Sequence, residues 1–187
     1  MGLTYRKPVR WAMYTFMTIQ DDAYWMHKAL DEAQKAASIR EVPVGAIVVC
    51  DGVIVGRGHN LRESHRDPTA HAEMVAIRAA ASSLDRWRLS DCTLYVTLEP
   101  CPMCAGAIVN SRIERLVFGA RDPRAGAVRS VYQICDDPRL NHRSQITSGI
   151  EANACSDILS AFFASRRAEK KALMKTSVGD SSGLKSK

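Results

Sequence analysis

Two short motifs, His71-Ala72-Glu73 and Pro100-Cys101-Pro102-Met103-Cys104, constrain this chain more than any other feature. The two thiols are three residues apart, so they lie on one face of a helix that begins near Pro102. The apolar run that continues through residues 74–81 predicts a second helix. Backbone N–H groups at a helix N-terminus favour thiolate anions. The spacing therefore predicts that two helix N-termini meet at one metal ion.

His71, Cys101 and Cys104 are the expected ligands of this ion, which we predict to be Zn²⁺. Two thiolates and one neutral imidazole balance its charge and leave a fourth tetrahedral position for water. A zinc ion with a purely structural role would normally take a fourth cysteine or histidine. The other cysteines have no x-x-Cys partner and are expected to be small buried or free thiols: Cys50, Cys92, Cys135 and Cys155. The ligand set is typical of a catalytic site.

Glu73 follows the histidine ligand by two residues and projects from a different side of the helical turn. A carboxylate at this position can reach the metal's water, accept its proton and later return that proton to a substrate. The alternative is a glutamate that only stabilises a helix N-terminus. Because a metal ligand lies beside it, we predict that Glu73 is the general base and general acid.

Together the motifs resemble the His-x-Glu and Pro-Cys-x-x-Cys signature of zinc-dependent nucleoside and nucleobase deaminases. Longer segments are similar to bacterial tRNA-specific adenosine deaminases: residues 40–46, 67–73, 97–107 and 117–122. This resemblance implies hydrolytic deamination of adenosine to inosine at the wobble position of a tRNA anticodon stem-loop, with one zinc ion per subunit. Glu73 would then protonate N1 of an adenine extruded from the loop. DNA is not expected as a natural substrate.

The same resemblance implies that Asn60 holds the substrate nucleoside and that Asp122 contacts the sugar or backbone of the target nucleotide. An amide offers both a donor and an acceptor. A carboxylate that accepts from a 2′-hydroxyl would help to distinguish RNA from DNA. The residues alone leave other interpretations open, since Asn60 could form a turn and Asp122 could cap the loop before Pro123.

Most of the positive charge lies at the C-terminal end. The whole chain carries +6, and residues 161–187 contain seven Lys and Arg side chains against two acidic ones, which leaves +5. A basic helix would attract a phosphate backbone in a salt-dependent manner. Within it, Phe162 and Phe163 can stack on an unpaired base, while Arg166 and Arg167 can bind phosphate. The alternatives are a solvated tail and an apolar helix face.

Length and composition favour a single domain, because 187 residues with 46% hydrophobic side chains can bury one good core. We assign residues 21–175 to a zinc-dependent deaminase domain and residues 176–187 to a flexible basic tail. Residues 1–20 are expected to be a disordered extension or the product of an upstream start. No apolar run approaches the roughly 20 residues that cross a bilayer, and reduced thiol ligands favour the cytoplasm.

Hydrophobic periodicity predicts an α/β protein. Helices are expected at residues 24–37, after each motif and at 151–175, and strands at 44–50, 53–58, 93–97 and 115–119. Asp51-Gly52 is a strong β-hairpin signal, and the alternation of strands and helices favours a largely parallel sheet. The family resemblance implies a three-layer α/β/α cytidine-deaminase-like fold with a central five-stranded mixed sheet. It also implies a homodimer in which the partner subunit often completes the active site.

Three other functions share parts of this pattern. Guanine deaminases can carry the same motifs and act on a free base, whereas free cytidine deaminases usually have cysteine in place of the ligand histidine. A non-catalytic, zinc-stabilised RNA-binding protein would need no carboxylate at position 73. A redox protein that used the two motif cysteines would leave His71 and Glu73 without a role. The basic C-terminal helix and Arg121-Asp122 favour RNA over guanine.

Overall fold

The computed structural model describes residues 19–179, with the side-chain environment of residues 22–174. Most of the predicted N-terminal extension and residues 180–187 of the predicted tail therefore lie outside the described residues. In the described part the elements are α1 (Ile19–Ser38), β1 (Gly45–Cys50), β2 (Val53–His59), α2 (Arg62–His65), α3 (Ala72–Ser83), β3 (Cys92–Leu98), α4 (Pro102–Ser111), β4 (Arg115–Ala120), β5 (Gln145–Ser148) and α5 (Ala152–Gly179). Among residues 19–179, no helix has the length and apolarity that crossing a membrane requires.

The five strands form one mixed sheet in the order β2-β1-β3-β4-β5. β1 pairs antiparallel with both β2 and β3, whereas β3 with β4 and β4 with β5 pair in parallel. The mixed five-stranded sheet is confirmed, and the expectation of a largely parallel sheet is wrong for its β2-β1-β3 half. That half departs from the expectation because the hairpin reverses the chain before the first ligand helix begins.

The turn between β1 and β2 is the one that the sequence predicts. Asp51 and Gly52 both have positive φ, at 48° and 75°, and the two central residues of a type I′ turn require such values. Because Gly45 pairs with His59, the chain leaves β2 at the end of the sheet where β1 begins. Asn60 follows directly at this end.

Helices cover both faces of the sheet. Val48 of β1 lies in a core cluster with Ala76 of α3. The adjacent Ile47 points to the other face and packs with Met26 of α1 and Cys155 of α5. All six residues of β1 are buried, as expected for a strand that is covered on both sides. The three-layer α/β/α fold is confirmed.

Gly58 allows helix α3 to approach strand β2 closely. A Cβ atom at this position would overlap the carbonyl oxygen of Ala72 and would lie 2.6 Å from the backbone nitrogen of Ala76. Both neighbours are backbone atoms of α3, which cannot rotate away as a side chain could. The lack of a side chain at Gly58 therefore sets how near the start of α3, and with it His71, lies to the sheet.

We predict that Gly58→Ala lowers the free energy of unfolding by about 1–3 kcal/mol, because the added methyl group overpacks the contact between helix and strand. Gly106→Ala in α4 is the matched control, since nothing lies within 4 Å of the added Cβ. Replacing this helical glycine should stabilise the protein by roughly 0.5–1 kcal/mol. Urea unfolding followed by circular dichroism measures both variants. A Gly58→Ala protein as stable as the wild type would contradict the close approach.

Candidate metal centre and substrate cleft

Two helices begin at the metal-binding motifs. His71 immediately precedes α3 and Cys101 immediately precedes α4, and both have extended backbone conformations with ψ of 154° and 173°. Pro102 occupies the first turn of α4, where its missing N–H and fixed φ are tolerated. Neither His71 nor Cys101 caps its own helix through the side chain. The imidazole and the thiol are therefore available as ligands.

The three predicted ligands lie close enough together to hold one ion. His71 Nδ1 is 3.6 Å from Cys101 Sγ and 3.5 Å from Cys104 Sγ, and the three donor atoms all lie within 4.8 Å of one another. Tetrahedral zinc, with Zn–N of about 2.0 Å and Zn–S of about 2.3 Å, places its nitrogen and sulfur ligands roughly 3.5 Å apart. The donor set fits zinc in spacing as well as in chemistry.

One of the two thiols is prepared to be an anion. The hydrogen bond with Cys104 is the main cause that lowers the pKa of Cys101 to about 4; burial opposes it and the hydrogen bond with His71 reinforces it. The pKa of Cys104 is raised, because Cys104 keeps the shared proton and is buried. Metal binding at this site is coupled to the release of thiol protons, because cysteine ligands must be deprotonated.

Glu73 lies in the first turn of α3 and is only 4% exposed. Burial is the largest cause that raises the pKa of its carboxyl, because the charged form is poorly solvated there. A glutamate that served only to stabilise a helix N-terminus would normally face water. This burial favours a group that exchanges a proton inside a closed site.

Asn60 is buried, and its amide binds the backbone on two sides. Nδ2 donates to the carbonyl oxygen of Val42 over 3.1 Å, and Oδ1 accepts from the N–H of Ala72 over 3.1 Å. Ala72 is the first residue of α3 and directly follows His71. Asn60 therefore joins the end of β2 to the start of the ligand helix. An amide has one further N–H to donate, and its predicted contact with the nucleoside remains a prediction.

A cleft of about 720 Å³ is lined in part by residues that are linked to this centre through the chain or a hydrogen bond. Leu98, the last residue of β3, forms part of its wall and lies three residues before Cys101. Val42, whose carbonyl binds Asn60, forms another part. The cleft is lined by Val42, Leu98, Asp122, Pro123, Arg124, Leu159, Ser160, Phe163 and Arg167. It brings three of the predicted substrate-binding residues together next to the metal-ligand segment.

Helix α5 presents the predicted RNA contacts along this cleft. Phe163 is 44% exposed and lines the cleft with Arg167, and both continue into a second groove of about 420 Å³ that includes Arg166 and Arg40. Phe162 is partly buried and meets Phe163 edge to face, with ring centroids 5.5 Å apart. The two phenylalanines therefore differ in their expected roles. Phe163 is exposed to a ligand, whereas Phe162 packs against the Phe163 ring.

Asp122 binds its own loop. Its Oδ1 accepts from the N–H groups of Arg124, over 2.9 Å, and Ala125, over 3.2 Å. This is the loop-capping role that the sequence left open as an alternative. The residue nevertheless lines the cleft and is partly exposed, so capping and a contact with substrate are compatible. Its contact with a ribose remains a prediction.

Glu99 is a buried polar residue of this region that the sequence motifs do not indicate as a site residue. Its carboxylate is 3% exposed and accepts hydrogen bonds from the backbone of the loop after β4. Burial alone would raise the pKa of this carboxyl, but the hydrogen bonds from Ser130, Arg129 and Asp122 outweigh it and lower the pKa. The sequence feature that could have indicated a role for Glu99 is its position, since it is an acidic residue between the buried strand β3 and the ligand helix α4.

The four remaining cysteines are buried, as expected. Cys50 and Cys92 form a second group of potential ligands with Asp91. Arg86 donates to that carboxylate, and burial is the main cause that raises the pKa of both thiols. This group is a weaker metal site than His71, Cys101 and Cys104, because its carboxylate is engaged in an ion pair and its thiols are protonated.

Comparison with known proteins agrees with this site. Residues 19–120 match the model of the cytidine and deoxycytidylate deaminase zinc-binding region. The chain is 49% identical over 156 residues to the tRNA-specific adenosine deaminase of Bacillus subtilis strain 168, a match that covers 83% of this chain and 96% of that relative.

Two solved structures are similar to this chain to different degrees. A structure from studies of A-to-I editing by tRNA:A34 deaminases at the wobble position of transfer RNA is 43% identical, with a TM-score of 0.70 over 73% of this chain and 99% of that one. Guanine deaminase from Nitrosomonas europaea is 25% identical, with a TM-score of 0.64 over 76% of this chain and 84% of that one. The chain belongs to the tRNA-specific adenosine deaminases, a family of zinc-dependent enzymes within the cytidine and deoxycytidylate deaminases.

Proposed function

We propose that this protein hydrolyses adenosine to inosine at the wobble position of a tRNA anticodon stem-loop. The observation that carries this proposal is a group of three potential metal ligands within 4.8 Å of one another, with the buried carboxylate of Glu73 in the first turn of the same ligand helix. A cleft with an exposed aromatic ring and arginines is lined in part by Leu98, three residues before Cys101. The family supplies the reaction type. The cleft is open along a helix surface, as a substrate larger than a free base requires.

We propose that His71, Cys101 and Cys104 hold the zinc ion. When bound there, zinc supplies a Lewis acid that lowers the pKa of a water molecule from about 15.7 toward about 7. Cys101 is the more acidic of the two thiols, because hydrogen bonds with Cys104 and His71 stabilise its anionic sulfur and lower its pKa. His71 turns Nδ1 toward both sulfurs. The chain thus arranges all three donor atoms from two helix starts.

Glu73 moves the proton in this proposal. Its carboxylate accepts a proton from water and passes it to N1 of the adenine ring, which makes C6 a better electrophile. Burial raises the pKa of Glu73, and a carboxyl with a raised pKa can hold a proton long enough to deliver it at neutral pH. The hydroxide left by this transfer adds to C6. The hydroxyl proton of the resulting tetrahedral carbon then passes through the Glu73 carboxylate to the amino group, so that ammonia leaves as the C6–N bond breaks and the C6 carbonyl of inosine forms.

The cleft residues hold the RNA in this proposal. Phe163 offers an exposed ring for stacking on an unpaired base, and Arg166 and Arg167 attract the neighbouring phosphates. Asp122 lies at the cleft wall, where its carboxylate can accept a hydrogen bond from a 2′-hydroxyl. Asn60 holds the start of α3 and offers its remaining N–H to the nucleoside. A free base such as guanine needs none of the arginines.

We also propose a cytoplasmic homodimer whose second subunit completes the cleft. Val131 and Tyr132 are 47% and 56% exposed and directly follow the loop that lines the cleft. Adjacent exposed apolar side chains next to a site are suited to contact with another protein surface. All six cysteines are free thiols, as a reducing compartment favours. Light scattering that finds only monomers at micromolar concentration would oppose the dimer.

The substrate assignment is tested by giving the zinc-loaded protein three substrates. We expect inosine from an anticodon stem-loop with A at the wobble position, no product from the same stem-loop with C, and no ammonia from guanine. Mass spectrometry of nucleosides and an ammonia assay measure these outcomes. Ammonia from guanine alone would identify a guanine deaminase. RNA binding without ammonia from any substrate would support the non-catalytic alternative.

We predict that Glu73→Gln keeps about one zinc ion per chain and loses roughly 100- to 10,000-fold in kcat, because an amide of the same size cannot carry the proton. Metal analysis by mass spectrometry and single-turnover inosine formation measure the two effects separately. A variant with wild-type turnover would refute the proton-transfer role. A variant that lost its zinc would place Glu73 in the ligand set instead.

We predict that Phe163→Ala weakens binding of the stem-loop by about 1–3 kcal/mol, because a stacking platform is removed. Trp87→Ala is the matched control. Trp87 is 57% exposed and stacks with Arg88 at 4.7 Å, so it is an aromatic–arginine pair that does not line the cleft. Fluorescence anisotropy at one fixed salt concentration gives both affinities. Equal losses in the two variants would contradict a specific role for the cleft.

A further inference from the structure

We infer that Glu99 is a positioning residue for the substrate, because its carboxylate fixes the loop of residues 121–130 that forms one wall of the cleft. The link to substrate rests on the proposed function. The link between carboxylate and loop rests on hydrogen bonds alone.

The carboxylate of Glu99 binds both ends of the loop. Oε1 accepts from three consecutive backbone N–H groups, those of Val128 at 3.1 Å, Arg129 at 2.6 Å and Ser130 at 2.8 Å. Oε2 accepts from the N–H of Asp122 at 3.1 Å and from the hydroxyl of Ser130. One side chain therefore closes the loop on itself.

This closure is made by a buried charged group. Glu99 is 3% exposed, and hydrogen bonds to an ionised acceptor are roughly twice as strong as those between neutral groups. Residues 121–130 contain no helix or strand, so their N–H groups do not take part in the regular hydrogen bonding of secondary structure. Without the carboxylate, several of these buried or half-buried donors would have to find other partners.

The loop held in this way faces the cleft next to the metal-ligand segment. Asp122, Pro123 and Arg124 line the cleft. On the other side, the carbonyl oxygen of Pro100 accepts from the N–H of Ala127 over 2.8 Å, and Cys101 follows directly. Glu99 thus sets the distance between the cleft wall and the ligand helix. A misplacement of about 1 Å at a reacting centre can lower a rate about 100-fold.

Glutamine and alanine at position 99 should release different parts of the loop. Glutamine has the size of glutamate but only one acceptor oxygen. That oxygen can still accept hydrogen bonds from the N–H groups of Val128, Arg129 and Ser130. The NH₂ group of the glutamine then faces the N–H of Asp122, and two donors cannot form a hydrogen bond. Glu99→Gln should therefore free the Asp122 end alone, and Glu99→Ala should free both ends.

Amide hydrogen exchange in the free protein tests the loop closure. We expect faster exchange at Asp122 in Glu99→Gln, with Val128 to Ser130 still protected, and faster exchange at all four positions in Glu99→Ala. Glu32→Gln is the matched control, because Glu32 is 2% exposed and contacts Lys35, Arg57 and His59 rather than the loop of residues 121–130. Unchanged exchange at Asp122 in Glu99→Gln would overturn the inference.

Steady-state kinetics with the wobble-A stem-loop test the consequence for substrate. We expect kcat/KM of Glu99→Gln to fall about 10- to 100-fold, mainly through KM, with zinc content unchanged and Glu32→Gln near the wild type. In an Asp122→Ala background the same substitution should cost much less, since both act through one loop. Altered exchange with unchanged kinetics would overturn the positioning role. A wild type that makes no inosine would refute the proposed function and leave the exchange result standing.

Discussion

The structure depends on one topological constraint, that both ligand helices must start at the same end of the sheet. β1 runs antiparallel to β2 and to β3, so β2 and β3 point in the same direction on either side of it. The chain leaves both strands at one end, and α3 and α4 begin there with His71 and Cys101 at their N-termini. The positive ends of two helix dipoles thus converge where thiolates and a carboxylate gather.

The parts of the site that could be predicted are those encoded over a few residues. The spacing of Cys101 and Cys104 needs only one helical turn, and the Asp51-Gly52 turn needs only two residues with positive φ. β5 was missed for the opposite reason. Its sequence Gln-Ile-Thr-Ser is short, partly exposed and mostly polar, and it is a strand only because β4 offers a free edge beside it.

Two buried polar side chains show what local patterns cannot supply. Asn60 binds backbone groups 12 and 18 residues away, and Glu99 binds groups 23 to 31 residues away. The sequence around either residue does not predict these hydrogen-bond partners, because the partners depend on how strands and loops pack in three dimensions. The family resemblance predicted a role for Asn60 but not its hydrogen bonds, and it predicted no role for Glu99.

The proposed catalytic residues and most of the cleft lining lie on different stretches of the chain, although Val42 and Leu98 of the cleft belong to the earlier one. The family model ends at residue 120, after all the proposed zinc ligands and Glu73, whereas Asp122, Arg124, Phe163 and Arg167 of the cleft come later. Substitutions can therefore accumulate in the later stretch while the hydrolytic centre stays intact. Such a division gives evolution, or a protein engineer, a way to exchange one amino-bearing base or nucleic acid for another without rebuilding the reaction.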